Sequence, residues 1–454
     1  MKISKHKVII LSVIFAGILL VRVLSLGEKI NSFLDPSNRV YQYNHAVQCA
    51  NGDEKQKSQA VDWLKKSAGQ GYAPAENMLG LYYEEGWNGV SRNPSFAFHY
   101  FSKAVEQSYP AALDGLGSCY EHGIGTKQDV GKAVSLYEKG AGEGDKVCEY
   151  DLGLCYHSGT GVQKNSIKAV NWLTKSSNSG YAPARCMLGV WYCKGDGVPK
   201  DQVKAVDYLT QGANSNDAQS EYNLGLCYQN GIGVVKDQSK AVSIFAKSAQ
   251  QGFAEADDKL GLCYEQAKGV PKDEAKAMEW FQKGAQAGNA DSEGNLGYCY
   301  EYGIGIPKDN GKAFEWYSKS AAQGDQIGEF NVGMCYQEGT GVTKDGKQAF
   351  EWFSKSAAQN YMQAIDQVGE CYYYGTGVAV DYGKAIEWYR KAAAMNSSRA
   401  YEMLGWCYLN GEGVSVNYNQ AGINLQKAVD LGNDDAQHYF RLLNRQDNGT
   451  YTKR

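Results

Sequence analysis

The residues best suited to chemistry in this chain are 12 cysteines, six histidines and a recurring Gly-Lys dipeptide. Paired Cys and His can hold a transition metal, a thiolate beside an imidazole can act as a nucleophile, and a glycine turn ending in Lys can cradle phosphate. Each possibility fails on spacing. Cys119 and His122, and Cys155 and His157, form close Cys/His pairs, but the two histidines fall at different points of the surrounding pattern and no C-x-x-C occurs. Gly131-Lys132, Gly311-Lys312 and Gly383-Lys384 are each followed by Ala rather than Ser or Thr, with no strand before them, so they read as first turns of helices. No G-x-S-x-G elbow is present. The expectation is a protein without a catalytic, cofactor or metal site.

Eight of the cysteines (119, 155, 227, 263, 299, 335, 371 and 407) share one template position, and Tyr82 and Trp191 fill it in two other copies. A slot that accepts aromatic rings is a core slot, where Cys acts as a small hydrophobe. An even cysteine count in a translocated chain would suit a disulfide set. Equivalent residues on stacked helices, however, lie about 9–10 Å apart, whereas bridged Cα atoms lie within about 7 Å. Cys148 and Cys155, like Cys186 and Cys193, are seven residues apart on one helix, about 10.5 Å of rise. Mostly free, buried thiols are expected.

The elements that position these residues repeat. A glycine recurs at 80, 117, 153, 189, 225, 261, 297, 333, 369 and 405, a period of 36 residues with a single 37-residue interval caused by an extra residue in the turn "EEGWNGV". In each copy a first helix shows one apolar stripe, as in Leu296, Cys299, Tyr300 and Gly303, followed by a glycine turn. A second helix begins behind Asp or Asn at 93, 129, 165, 201, 237, 273, 309, 345, 381 or 417, and its stripe is that of Ala313, Trp316, Tyr317 and Ala321. Helices this short bury one face only by stacking on neighbours. The period predicts an all-α chain of antiparallel helix pairs stacked into a solenoid. Ala267 stands where nine sister copies have the capping glycine, a source of backbone strain.

The pattern "LGxCYxxGxGVxxDxxKAxxWxxKSAxxG" closely resembles Sel1-like repeats, relatives of tetratricopeptide repeats, from about Ser58 to Leu443. The resemblance implies a right-handed superhelix and a scaffold or adaptor role in membrane-associated quality control, secretion or signalling. It also implies two alternatives, because some such proteins are assigned β-lactamase or penicillin-binding activity and some carry a disulfide in each helix pair. The second helices here contain no Cys, which removes the partner for such a bridge.

Four parts follow: residues 1–27 as signal peptide or signal anchor, 28–57 as linker and N-terminal capping helix, 58–445 as a solenoid of about ten repeats, and 446–454 as a polar tail. Lys2, Lys5 and Lys7 precede the apolar run Val8 to Val21, which suits a cleaved signal, an uncleaved anchor or a buried helix. The first two place the repeats in a secretory or periplasmic compartment, secreted if the segment is cleaved and tied to a membrane through that segment alone if it is an anchor. A formal charge of −4 gives no reason to expect nucleic acid. In helical solenoids the first helices line the concave side. The residue after the invariant glycine varies along the chain and becomes larger near its end: Tyr298, Met334, Glu370 and Trp406, joined by Tyr373. This ladder is the expected groove for a partner protein or peptide, in a chain that is monomeric alone. A purely structural solenoid is the other non-catalytic reading. Asn396 and Asn448 begin N-glycosylation sequons.

Overall fold

The computed structural model describes residues 35–441, 443–445 and 451–453. The proposed signal or anchor and Asn448 lie outside the described residues. Among them no helix is long and apolar enough to cross a membrane. The chain divides into two compact units, residues 1–237 and 238–454.

In the first unit, α1 (Arg39–Cys49) pairs with α2 (Glu54–Gly69), α3 (Ala73–Glu85) with α4 (Pro94–Glu106), α5 (Leu113–His122) with α6 (Val130–Gly142), α7 (Lys146–Ser158) with α8 (Ser166–Asn178) and α9 (Ala182–Lys194) with α10 (Gln202–Ala213), before α11 (Ala218–Asn230). The opening pair is a full member of the array. Ala46, Leu64 and Val61 are buried between its helices, so pairing begins at Arg39, ahead of the start near Ser58 expected from the sequence.

The second unit runs from α12 (Gln238–Gln250) through five pairs: α13 (Ala254–Glu265) with α14 (Glu274–Gln286), α15 (Ala290–Tyr302) with α16 (Asn310–Ala322), α17 (Gln326–Glu338) with α18 (Gly346–Ala358), α19 (Met362–Tyr374) with α20 (Tyr382–Ala394) and α21 (Ser398–Asn410) with α22 (Tyr418–Asp430). A short α23 (Asp434–Phe440) follows. The segment read as a polar tail instead contains strand β2 (Tyr451–Lys453), paired antiparallel with β1 (Leu443–Arg445). Tyr451 is buried against Gly422 and covers the last pair.

Local chemistry sets these boundaries. Asp309 Oδ1 accepts the Lys312 backbone N–H at 3.0 Å, and Asn or Asp makes the same cap at 93, 129, 165, 201, 273, 345, 381 and 417. The Gly-Lys pairs are the first turns behind such caps. First helices stop where a residue turns left-handed, as at Gly303 with φ +74°. Ala267 adopts that same turn at φ +53° without being glycine.

The invariant glycine has a packing cause. A Cβ at Gly297 would come 2.7 Å from the Tyr317 ring, and one at Gly333 would come 2.6 Å from Phe353. The second helix therefore drops a fully buried side chain, a ring in most copies and a leucine over Gly153, Gly189 and Gly405, onto the bare backbone of the first, and this close approach outweighs the helix propensity that glycine forgoes, about 1 kcal/mol. Tyr317, Ala313 and Ala321 are buried as their spacing predicts, but Trp316 lies at the edge of the core beneath Lys319, whose Nζ sits 3.5 Å from the ring centroid.

Polar locks are added inside the stack. Ser176 and Ser356 donate to backbone carbonyls at the start of first helices, Ser176 to Lys146 O and Ser356 to Gln326 O. Buried Glu293 and Glu329 accept from Gln323 and Gln359 near the ends of the following second helices, at 2.8 and 2.9 Å.

Candidate functional site

The shared cysteine slot is buried throughout, alongside Tyr82 and Trp191 in the same position, and all twelve thiols are unbridged. Burial pushes the Cys299, Cys335, Cys371 and Cys407 thiols up to about 12, so they are poor nucleophiles. The five described histidines are engaged elsewhere. His157 stacks on Trp191 and lies 3.4 Å from Asp196, His122 meets the Ser118 carbonyl, and His45, His99 and His438 pack against aromatic rings. Among the described residues no three His, Cys, Asp or Glu side chains converge in a way that could hold a metal ion.

The expected ladder resolves into three settings. Glu370, Tyr373 and Trp406 are drawn together at its C-terminal end. Tyr373 is the hub: the Trp406 indole N–H donates to its hydroxyl at 2.8 Å, and that hydroxyl donates to Glu412 Oε2 at 2.6 Å. Burial raises the Tyr373 pKa, the Glu412 carboxylate raises it further and the indole donor lowers it, so the phenol remains a donor at neutral pH. Trp406 packs on Tyr439 with centroids 4.7 Å apart, which fixes its second face.

Beside this hub, Glu370 Oε1 accepts from Arg399 Nε at 2.8 Å, and Glu402 Oε2 accepts from Arg399 Nη1 at 2.9 Å. Burial opposes the guanidinium charge, but the two carboxylates outweigh it and hold the cation. Tyr298 forms a second patch with Tyr302, the rings tilted at 44° with centroids 4.6 Å apart, and both are exposed. Met334 is half-buried and packs against the core cluster around Phe353 and Val368, so it belongs mainly to the stacking. Asn396 is exposed in a left-handed turn at φ +64°.

Glu412, Arg399 and Tyr439 complete the site and were not singled out by sequence. Their signal is departure from the template. Glu412 follows a capping glycine where other copies have Ile304, Thr340 or Thr376, and Arg399 stands where Asp291, Ile327 and Gln363 stand.

The Sel1 repeat family profile matches eleven segments: residues 40–72, 73–109, 110–145, 147–181, 182–217, 218–253, 254–289, 290–325, 327–361, 363–397 and 398–433. Among solved structures, the chain is 31% identical to a protective antigen of uropathogenic Escherichia coli displaying an SLR fold, covering 92% of this chain and 90% of that one with a TM-score of 0.59. A Sel1 repeat protein from Oxalobacter formigenes is 27% identical over 69% of this chain and 93% of its own, with a TM-score of 0.50. No curated protein matches the chain significantly.

Proposed function

The chain belongs to the Sel1 repeat family, whose members generally bind other proteins, and from this we propose that it is a non-enzymatic scaffold. Its partner is held on the first-helix face of the second unit. The observation that carries this reading is the Tyr373–Trp406–Glu412 cluster beside Glu370 and Arg399, where template-breaking aromatic and charged side chains gather on α19, α21 and the turn that follows α21. Trp, Tyr and Arg are the residues that dominate recognition energetics, the two aromatic ones because they cover much area with little rotamer loss. Hydrolysis is not favoured, since the cysteine slot and the histidines serve packing. Lys2, Lys5 and Lys7 ahead of an apolar run support a translocated or membrane-tethered setting.

The test is proximity labelling by the full chain in its native cells, comparing the natural sequence with the double variant Trp406→Ala and Tyr373→Ala, after circular dichroism has shown both to be folded. A discrete set of extracytoplasmic or membrane proteins should be labelled and then lost in the double variant. An unchanged set removes the face from consideration, and an exclusively cytosolic set removes the setting.

A further inference from the structure

The two helices of each pair differ in charge, and the second unit makes the difference plain. Its five first helices carry twelve carboxylates against Lys259 and Arg399, whereas its six second helices carry twelve Lys or Arg against six carboxylates. Several first-helix acids are internal clasps, and Glu301 and Glu370 are partly buried and accept from the Tyr317 hydroxyl and from Arg399, but Asp291 and Glu338 are exposed.

Their field is visible in their neighbours. Glu301 is the largest cause of the raised pKa of the exposed Tyr302 hydroxyl, with burial, Tyr298 and Glu338 adding to it. Asp291 is raised by burial, then by Asp258, Asp325 and Glu255, with Lys259 opposing.

The chain itself demonstrates what this surface accepts. At the C-terminal end a guanidinium, Arg399, lies between the carboxylates of Glu370 and Glu402, and it sits close enough to the exposed Tyr374 to oppose the rise in that hydroxyl's pKa that burial causes. Around Tyr298 and Tyr302 the same ingredients recur, two tyrosine rings and Glu338 open to solvent beside the partly buried Glu301, one oxygen of which accepts the Tyr317 hydroxyl. Within the C-terminal patch itself, α19 carries two buried acceptor atoms without a donor, Asp366 Oδ1 and Gln367 Oε1, and Gln367 shares the helical stripe of Glu370 and Tyr374. Acceptors in that condition call for N–H donors.

We propose that the first-helix face of residues 254–439 binds an extended segment of a partner protein bearing Lys or Arg, its cations taken up between carboxylates and tyrosine rings. This rests on the scaffold reading and adds the chemistry of the partner. Carboxylate pairing supplies steering and register, and the ring faces supply cation–π contact once water is displaced. Two to three repeat steps separate the patches, roughly 20–30 Å at about 10 Å per stacked helix. An extended strand advancing about 3.3 Å per residue spans that with about six to nine residues.

Fluorescence anisotropy with the full chain and a labelled dodecapeptide alternating Lys-Ser and Arg-Ser tests this, against Gln-Ser and Glu-Ser counterparts and a cationic tetrapeptide. The cationic dodecapeptide should bind at least tenfold tighter than the neutral one and than the tetrapeptide. The pair Asp291→Asn with Glu338→Gln should weaken it at least fivefold, and Tyr302→Ala similarly. The pair Glu315→Gln with Glu351→Gln changes net charge equally on second helices and should leave binding unchanged.

Equal losses from both charge pairs would mean diffuse attraction to an acidic protein and overturn the proposal, as would equal binding of the cationic and neutral peptides. If the cationic peptide fails while Trp406→Ala with Tyr373→Ala still abolishes native labelling, the scaffold reading stands and only the assigned partner chemistry is lost. If labelling is also insensitive to those two residues, both readings fall.

Discussion

The two units are built from the same repeat yet differ in what their first helices present. From Ala73 to Asn230 the row after the invariant glycine reads Leu81, Ser118, Leu154, Val190 and Leu226, and the five helices carry eight carboxylates against three cations. In the second unit the row reads Leu262, Tyr298, Met334, Glu370 and Trp406, and the imbalance is twelve against two. The buried ring, the bare glycine beneath it and the Asp or Asn cap are common to both. Stacking therefore constrains the second helix and the inward stripe of the first, leaving the outward stripe free to diverge. The lesson is that recognition in such an array is found by subtracting the template.

If the cores are equivalent, core truncations should be equally costly in either unit. Leu173→Ala in the first and Phe353→Ala in the second each empty a fully buried slot over a glycine, Gly153 or Gly333, and should each cost about 3–5 kcal/mol. Urea titration combined with hydrogen exchange, to localise the loss to the altered repeat, measures both. A much smaller loss in one unit would break the equivalence of the cores.

The faces should then respond differently. Trp406→Ala strips the indole donor from Tyr373 and a ring from Tyr439, and should cost partner binding about 2 kcal/mol while leaving the fold intact. Val190→Ala, at the equivalent place in the first unit, should leave binding of the same partner within twofold, read by titration calorimetry. Matching losses at both sites would show that recognition extends over both units.

How much of this was legible depended on whether a feature repeats. The all-α helix pairs follow from spacing alone, because a stripe such as Leu296, Cys299 and Tyr300 recurs ten times and its glycine has a constant steric cause. The serine-to-carbonyl and Glu-to-Gln locks also repeat, but their partners lie about 30 residues apart, beyond any single-helix pattern. Pairing of residues 443–445 with 451–453 was hidden because strands this short leave little alternation to read. Within the site, Glu370, Tyr373 and Trp406 stood out by type, whereas Arg399 and Glu412 matter through long-range geometry. Position on the ladder likewise does not reveal that the half-buried Met334 packs against the core around Phe353.

A smaller difference is expected in response to pH. Asp366 occupies a row that holds Tyr150, Cys186 and Tyr222 in the first unit. Burial raises its pKa to about 6; the Ser397 donor and Arg399 lower it, and Glu370 raises it. The folded chain thus keeps a proton that the unfolded chain, with the ordinary value of 3.8, releases. Raising pH across that window lowers stability, and the whole penalty is present above pH 6. Asp366→Asn removes it, so thermal unfolding should show no gain below about pH 4 and a gain growing to about 1–2 kcal/mol by pH 7. Tyr150→Phe in the first unit should show no such slope. A gain for Asp366→Asn that is flat with pH would contradict the assignment.

The smallest difference lies in one turn. First helices in the array close through a left-handed glycine, such as Gly231 at φ +73°, but α13 makes its turn with Ala267 at φ +53°, where the Lys268 N–H still reaches Cys263 O at 2.9 Å. The turn keeps that bond, although α13 ends at Glu265, one residue sooner than its sister α15, and the methyl group must be held in a region L residues avoid, at about 1 kcal/mol. Glycine relieves that strain but gives the unfolded chain more freedom, an opposing effect of several tenths of a kcal/mol. Ala267→Gly should therefore stabilise the second unit by about 0.5 kcal/mol, and Gly231→Ala should destabilise the first by a similar or larger amount, both read from urea midpoints at unchanged slope. Loss of stability in Ala267→Gly would mean that the methyl group makes packing contacts worth more than its strain, and the turn would then be a feature peculiar to the second unit.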